Sequence, residues 1–419
     1  MTIQGTSRRS FLAGVAATTA MVTASVSRMP LAMGAADGEA YWEAVRRRFS
    51  FPEEKVPMNA ANLCPSPVAI AERVAALTRD IDNDCSFNNR AKFADLLEQS
   101  RRKVAAQLGC SADEIALVRN TTEGNNIINN GLPLRAGDEV VVWDQNHPTN
   151  NVAWDVRAAR FGIVIKRVAT PEHPTGGGEL LEVFRRAFTP RTRALAITHA
   201  SNVSGMRLPV GALCEEARRR DIYIHVDGAQ AWGALRVNLA ELGCDSYTGS
   251  AHKWFVGPKE AGLLYVRRER IASIWPNCVA PGWGDDAETD VRGARKFESL
   301  GQRDDACLAA VGLTADFHQE VGAERVERRV LELAARLKAG ARELGLRVVT
   351  PESSELSAGV CVIEVAASRR QQAFDRLYNE FGIAGAAAGG LRLCPHIYNT
   401  VAHVDRALAA LKQMAGMTS

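Results

Sequence analysis

The chain has 419 residues, with 51 Lys and Arg against 48 Asp and Glu for a net charge of +3; 46% of it is apolar and 24% charged. This is the composition of an ordinary soluble globular protein, long enough for two or three domains. The near balance of charge gives no basic field for nucleic acid, so arginine runs such as RRR at 46–48 and 218–220 read as solvated helix faces.

In chain order, the first segment is set apart from the fold. Paired Arg8 and Arg9 precede an uncharged, Ala- and Thr-rich stretch from Phe11 to Ser27, and small residues suited to cleavage follow around 34–36. The pattern resembles a twin-arginine export signal over residues 1–35 and is too short and too polar for a membrane anchor. Export by that route moves folded proteins to the periplasm, which suits a chain that must acquire a cofactor first. No membrane association is expected once the signal is removed. The nine cysteines are scattered, odd in number and without a C-x-x-C pair, so they read neither as a disulfide framework nor as a metal site.

A segment over 36–58 leads into a region, 59–304, where short apolar runs alternate with helical patterns. EIALV, EVVVW, GIVIKRV, TRALAIT, DIYIHV, SYTGS and GLLYV read as strands, and NVAWDVRAARF, LLEVFRRAF and VGALCEEARRR as helices between them. The alternation predicts an α/β fold with a large domain built on a mostly parallel sheet of seven strands, covered by helices. From 305 to the C-terminus the pattern changes to a smaller α+β domain. It holds a long helical stretch, strands LRVVT and GVCVIEV, a helix near 369–381, a Gly/Ala-rich loop GIAGAAAGG, strand LRLCP and a closing helix over 401–415.

In parallel sheets ligands gather beyond the carboxyl ends of the strands, so the loops there carry the chemistry. RNTTEGNN, after the first strand, opens a helix and offers free backbone N–H groups with the hydroxyls of Thr121 and Thr122 for a phosphate; taken alone it is equally a plain helix N-cap. His147 follows the second strand, where its ring could stack on a flat cofactor, although a lone histidine there is more often a loop residue. Asn202, in HASNVSG, shares that sheet edge. Asp227 closes an apolar strand, a costly place for a charge unless a cationic ring nitrogen faces it. In TGSAHKWFVG, Lys253 stands beside His252 and near Ser250 at a strand end. A lysine for a Schiff base and an acid opposite a pyridinium nitrogen are the two requirements of a pyridoxal 5'-phosphate site. Asn202 and Gln230 could bond the cofactor's phenolic oxygen, and Ser250 and His252 its phosphate. A nucleotide-binding oxidoreductase on the same sheet would need G-x-G-x-x-G after its first strand, and none is there.

These motifs, SAHK, VDGAQA, NTTEGNN and SNVSG, resemble those of the class V aminotransferases, fold-type I pyridoxal phosphate enzymes. Within that family they are closest to the isopenicillin N epimerase and cysteine desulfurase-like branch, and the likeness covers the chain from about residue 55. The resemblance implies Lys253 as Schiff-base lysine, Asp227 as pyridinium partner and His147 as stacking ring. It also makes Arg392, in LRLCPHIYNT, the clamp for a substrate carboxylate. Asn62, Arg90 and Trp283 are read separately as residues that could shape the pocket, although each reads more readily as structural or interfacial. A homodimer is expected from the family. Two departures qualify the likeness. The loop GIAGAAAGG lacks the nucleophilic cysteine of the desulfurases, which disfavours sulfur transfer. Gln302 stands where many relatives have a threonine reaching the partner's phosphate, so Gln302 or Arg303 would have to replace it.

The expected activity is that of an aminotransferase-type enzyme acting on a small-molecule or peptide-linked amino acid. Exported members of the branch resemble enzymes that tailor secreted peptides such as pyoverdine-type siderophores. Epimerisation or elimination is the alternative, since proton return and bond choice depend on pocket geometry. A non-catalytic cofactor-binding scaffold would predict damage to the lysine, aspartate or arginine motif, and all three are intact.

Overall fold

The computed structural model describes residues 38–280 and 292–414. The expected export signal and Trp283 lie outside the described residues. The seven apolar runs form one sheet of strands β2 (Ile115–Val118), β3 (Glu139–Trp143), β4 (Val164–Val168), β5 (Thr192–Thr198), β6 (Tyr223–Asp227), β7 (Ser246–Ser250) and β8 (Gly262–Val266), with β1 (Val56–Pro57) preceding them outside this sheet. Its order is β2-β8-β7-β6-β5-β3-β4. Every neighbouring pair is parallel except the two made by β8, which runs antiparallel to β7 and β2. Reversing β8 leaves β2 pointing the same way as the others, so six strands end at one edge.

The sequence explains this layering. β2, β3, β6, β7 and β8 are buried along their whole length, as continuous apolar runs in a sheet covered on both faces must be. β4, at the sheet's margin, is mostly half-buried or exposed, and β5 exposes Arg193. The helices before and between the strands are α1 (Glu39–Arg46), α2 (Val68–Asn83), α3 (Lys92–Leu108), α4 (Thr121–Gly131), α5 (Pro148–Phe161), α6 (Gly177–Ala187) and α7 (Val210–Arg219). Ile127 and Ile128 of α4 and Trp154 of α5 meet Val140, Val142, Ala194 and Ala196 of the sheet in one buried cluster. Each such aliphatic side chain contributes about 1.5–3 kcal/mol by leaving water. α3 and α5 both stop at a glycine in the left-handed region, Gly109 and Gly162, where a side chain would be strained.

The helical stretch after 304 is two helices, α8 (Asp305–Val321) and α9 (Ala323–Glu343), separated at Gly322 by a φ of 93°. α8 packs on α3: Gly312 N–H donates to Ser100 Oγ at 3.0 Å, and Ser100 Oγ donates to the Ala309 carbonyl at 2.9 Å. Next come β9 (Cys361–Ile363), α10 (Arg370–Asn379), β10 (Ile383–Ala384), β11 (Ala386–Ala387), β12 (Leu391–Leu393) and α11 (Val401–Gln413). β11, β12 and β9 form an antiparallel sheet, and β1 pairs in parallel with β10. One core joins Val56 and Met58 to Leu333 and Leu337 of α9, Leu391 and Leu393, and Ala407 and Leu411 of α11.

Two local expectations differ. LRVVT forms no strand, only the isolated bridge Val348↔Ile363. The loop GIAGAAAGG contains the short β10 and β11, because its small side chains let it lie along β1 and β12. Six cysteines, Cys64, Cys214, Cys244, Cys307, Cys361 and Cys394, are buried as small apolar residues, and Cys85 and Cys278 are exposed. Among the described residues no helix is long and apolar enough to cross a membrane.

Candidate active site

The carboxyl ends of β2, β3, β5, β6 and β7 each deliver part of one crevice. Asp227 closes β6 and is 2% exposed. Its Oδ1 accepts from the Ala229 N–H at 3.0 Å and its Oδ2 from the Asn125 amide at 2.8 Å, so both oxygens of this buried carboxylate act as acceptors. Lys253, three residues past β7, lies within electrostatic reach of Asp227, Arg392 and Cys64. Burial lowers its ammonium pKa from the ordinary value, Asp227 opposes the shift, and Arg392 adds to it.

His147 caps α5, its Nδ1 sharing a 2.8 Å hydrogen bond with Thr149 Oγ1, and its ring is half-buried. Burial lowers the imidazole pKa from its ordinary value, with Lys253 and Arg392 adding to the shift and Asp227 opposing it. His147, Asp227, Lys253 and Arg392 are therefore within electrostatic reach of one another.

Arg392 comes from β12, on the other sheet. It is 5% exposed; Nη1 donates to the Asn202 carbonyl at 2.9 Å and Nη2 to Asn59 Oδ1 at 3.1 Å. Nε has no hydrogen-bond partner among the described residues, and neither has the buried Oδ1 of Asn202 beside it. Buried polar atoms are ordinarily hydrogen-bonded, so these two have bonding capacity that a polar ligand could use. A planar guanidinium with donors to spare suits a carboxylate.

At the end of β2, Asn120 caps α4 by accepting from the Glu123 N–H at 3.0 Å. Thr121 is buried against Ser250, with its N–H 2.9 Å and its hydroxyl 2.8 Å from Ser250 Oγ, while Thr122 is exposed at the helix start. This arrangement of hydroxyls and backbone N–H groups at a helix N-terminus suits a phosphate. His252 is half-buried there; burial, with help from Lys253 and Lys259, pushes its pKa down to about 4. Gln230 is buried, donates to the Ala61 carbonyl at 3.0 Å and accepts from the Trp254 indole at 2.7 Å, so both ends of its amide are engaged by the protein.

The remaining sequence candidates within the described residues have other partners or surroundings. Asn62 is exposed, on the turn after Asn59. Arg90 is held by Gln302 Oε1 at 2.7 Å and Asp305 at 3.4 Å. Gln302 also donates to the Arg303 carbonyl, and Arg303 lies against Glu298 with its Nε and Nη2 unpartnered among the described residues. Three residues of the crevice were not singled out from sequence: Asn59, Asn125 and His225. Asn59 and Asn125 stand inside stretches that were, NAANLCP and RNTTEGNN. His225 is signalled by being a polar side chain in an otherwise apolar strand, two residues before Asp227.

Comparison with known proteins agrees with this geometry. A family model described as Aminotransferase class-V matches residues 82–408. Isopenicillin N epimerase of Amycolatopsis lactamdurans is 32% identical over 395 residues, covering 89% of this chain and 98% of that protein. A probable cysteine desulfurase of Xylella fastidiosa (strain 9a5c) is 29% identical over 403 residues, covering 88% and 94%. Among solved structures, the apo cysteine desulfurase of Thermococcus onnurineus NA1 superposes with a TM-score of 0.79 at 21% identity, covering 89% of this chain and 98% of that one. A mutant C-DES with glycine covalently linked to its PLP cofactor does so at 0.80 and 23%, covering 88% and 98%. These likenesses identify the fold as that of the fold-type I pyridoxal phosphate enzymes.

Proposed function

The chain belongs to the aminotransferase class V family, its cofactor is pyridoxal phosphate, and from that premise we propose that it acts at the α-carbon of an amino acid, free or carried in a peptide, through Lys253. The observation that carries the reading is that Lys253, Asp227 and His147, at the carboxyl ends of the seven-stranded sheet, lie within electrostatic reach of Arg392 on β12. The residues present fit the cofactor. Lys253 would hold it covalently, Asp227 would meet its ring nitrogen and His147 its ring face. Thr121, Thr122, Ser250 and His252 would take its phosphate, and the orphaned Asn202 Oδ1 and Gln230 would lie beside it. When bound, pyridoxal phosphate supplies an electron sink for negative charge developing at the substrate's α-carbon.

The chain's own residues divide the remaining work. Arg392, fixed by Asn59 and Asn202, binds and orients the substrate carboxylate. Lys253 Nζ, whose ammonium is disfavoured by burial, is placed to take the α-proton. Returning that proton elsewhere gives transfer of the amino group, which is the principal reading. Returning it to the α-carbon gives epimerisation, a second reading favoured by the 32% identity to an isopenicillin N epimerase over nearly its full length. Persulfide-based sulfur transfer is not proposed, because residues 382–390 contain no cysteine.

The proposal extends to setting. Arg8 and Arg9 ahead of an uncharged run support export to the periplasm as a folded protein, with a secreted peptide such as a pyoverdine-type siderophore as the substrate class. A homodimer is proposed with it. The test is to incubate the purified protein with candidate amino acids and peptides in deuterium oxide. Deuterium at an α-carbon of inverted configuration marks epimerisation, and a keto product formed as the amino group is retained on the cofactor marks transfer. Neither outcome, with wild-type cofactor bound, overturns the assignment to an α-carbon reaction.

A further inference from the structure

Behind Asp227 lies a buried chain of polar side chains that the chemistry above does not use. β6 and β7 are in register, with His225 opposite Ser246 and Asp227 opposite Thr248. His225 and Asp227 are two residues apart on one strand, so they share a face of the sheet. α4 crosses that face closely at Gly124, where a Cβ would come 2.6 Å from Thr248 Cγ2. A side chain at 124 would push the helix away, and its absence lets Asn125 reach the sheet.

The contacts then run in one direction. His225 Nδ1 lies 2.7 Å from Ser246 Oγ, and Nε2 lies 2.8 Å from Asn125 Oδ1. Thr248 Oγ1 donates to the same Asn125 oxygen at 3.0 Å, and the Asn125 amide nitrogen donates to Asp227 Oδ2 at 2.8 Å. His225, Asn125, Asp227, Ser246 and Thr248 are each no more than 2% exposed, so water does not compete. Burial drives the His225 pKa down to about 3, so the ring is neutral and carries one N–H. With Ser246 donating to Nδ1, that proton sits on Nε2 and points at Asn125 Oδ1. Two donors on the amide oxygen leave Asn125 one way round, with its N–H₂ toward Asp227.

We propose that Asn125 and His225 are positioning residues for Asp227, fixing its carboxylate in a single orientation for the cofactor's ring nitrogen. The inference rests on the reading of the crevice as a pyridoxal phosphate site. Neither residue touches the crevice group itself; each acts through Asp227.

The test compares His225→Leu, His225→Gln, Asn125→Leu and Thr248→Val with wild type. Each resolved protein is titrated with pyridoxal phosphate, recording the dissociation constant and the absorption maximum of the bound cofactor, and its thermal midpoint is measured without cofactor. Loss of one hydrogen bond in a chain ending on a charged group predicts about tenfold weaker cofactor binding in His225→Leu and Asn125→Leu, with a displaced absorption maximum. His225→Gln keeps an N–H for Asn125 and is expected to stay within about threefold of wild type, with Thr248→Val between the extremes. The His225 pair and Thr248→Val decide the matter if Asn125→Leu does not fold. Wild-type affinity and absorption in all variants, or a fall in thermal midpoint alone, would overturn the proposal while leaving the cofactor site intact. Failure of the wild-type protein itself to bind pyridoxal phosphate would overturn both.

Discussion

Arg392 donates to the backbone carbonyl of Asn202 at 2.9 Å, although 190 residues separate them. The bond ties the short C-terminal sheet to a loop at the edge of the seven-stranded one, and it aims the guanidinium at the crevice that holds Lys253. The guanidinium proposed to hold the substrate carboxylate is thus positioned by backbone, with Asn59 as its second support.

Replacing Arg392 by Lys keeps the charge but loses the planar fork. Steady-state kinetics should show KM for the amino-acid substrate raised about 10–100-fold, the cost of a bidentate charge-assisted pair, with cofactor absorption unchanged. Asn59→Ala should give a smaller rise in the same direction. A KM at the wild-type value in Arg392→Lys would remove the clamp from Arg392.

Asp227→Asn keeps the shape of the side chain and removes its charge. The expected loss in kcat is about 10²–10³-fold, the scale for a fixed charge aimed at the reacting group. Pyridoxal phosphate should remain attached to Lys253, as mass spectrometry after borohydride can verify. Near-normal turnover would mean that Asp227 is only a strand-end carboxylate with good partners.

The buried histidines predict a definite acid response. Burial lowers His199, His225 and His396 to about 3 and His318 to about 4, while an unfolded chain titrates near 6.5. Between those values the unfolded state binds more protons than the folded one, so stability falls as pH drops through 6.5 toward 4. Each histidine contributes up to about 1.4 kcal/mol per pH unit in that window. Thermal midpoints measured from pH 7.5 to 4.5 should be level above 7 and decline steeply below 6.5. A midpoint flat down to pH 5 would contradict the neutral, buried assignment.

Gly228, next to Asp227, lies against the ring of Tyr247 on β7 so closely that a Cβ would overlap it. Gly228→Ala should therefore destabilise the protein by roughly 1–3 kcal/mol or more through overpacking beside the site. Chemical denaturation that returns wild-type stability would show that Tyr247 moves aside at no cost.

Much of this was legible in the sequence, for a physical reason. A sheet covered on both faces needs continuous apolar strands, so EIALV through GLLYV stood out, and the polar residues that follow them had to be explained. Asp227, Lys253, His147 and Arg392 were found that way, from strand ends and motif likeness. The Asn125–His225 contact was not, because it joins residues 100 apart and depends on how closely α4 lies on β7, which only the packing at Gly124 decides. Asn59 was not singled out in NAANLCP, where Asn62 was, and only the fold shows the part-buried bond from Arg392 to Asn59 and the exposed position of Asn62. LRVVT has the apolar content of a strand but finds only a single bridge partner.

The most direct measurement is borohydride reduction of the purified protein followed by peptide mass spectrometry, run beside Lys253→Ala. The account predicts a pyridoxyl-phosphate mass on the peptide containing Lys253 and on no other, together with loss of the visible band, and neither change in the variant. Cofactor fixed to a different lysine, or a wild-type protein that carries no cofactor even after incubation with pyridoxal phosphate, would contradict it.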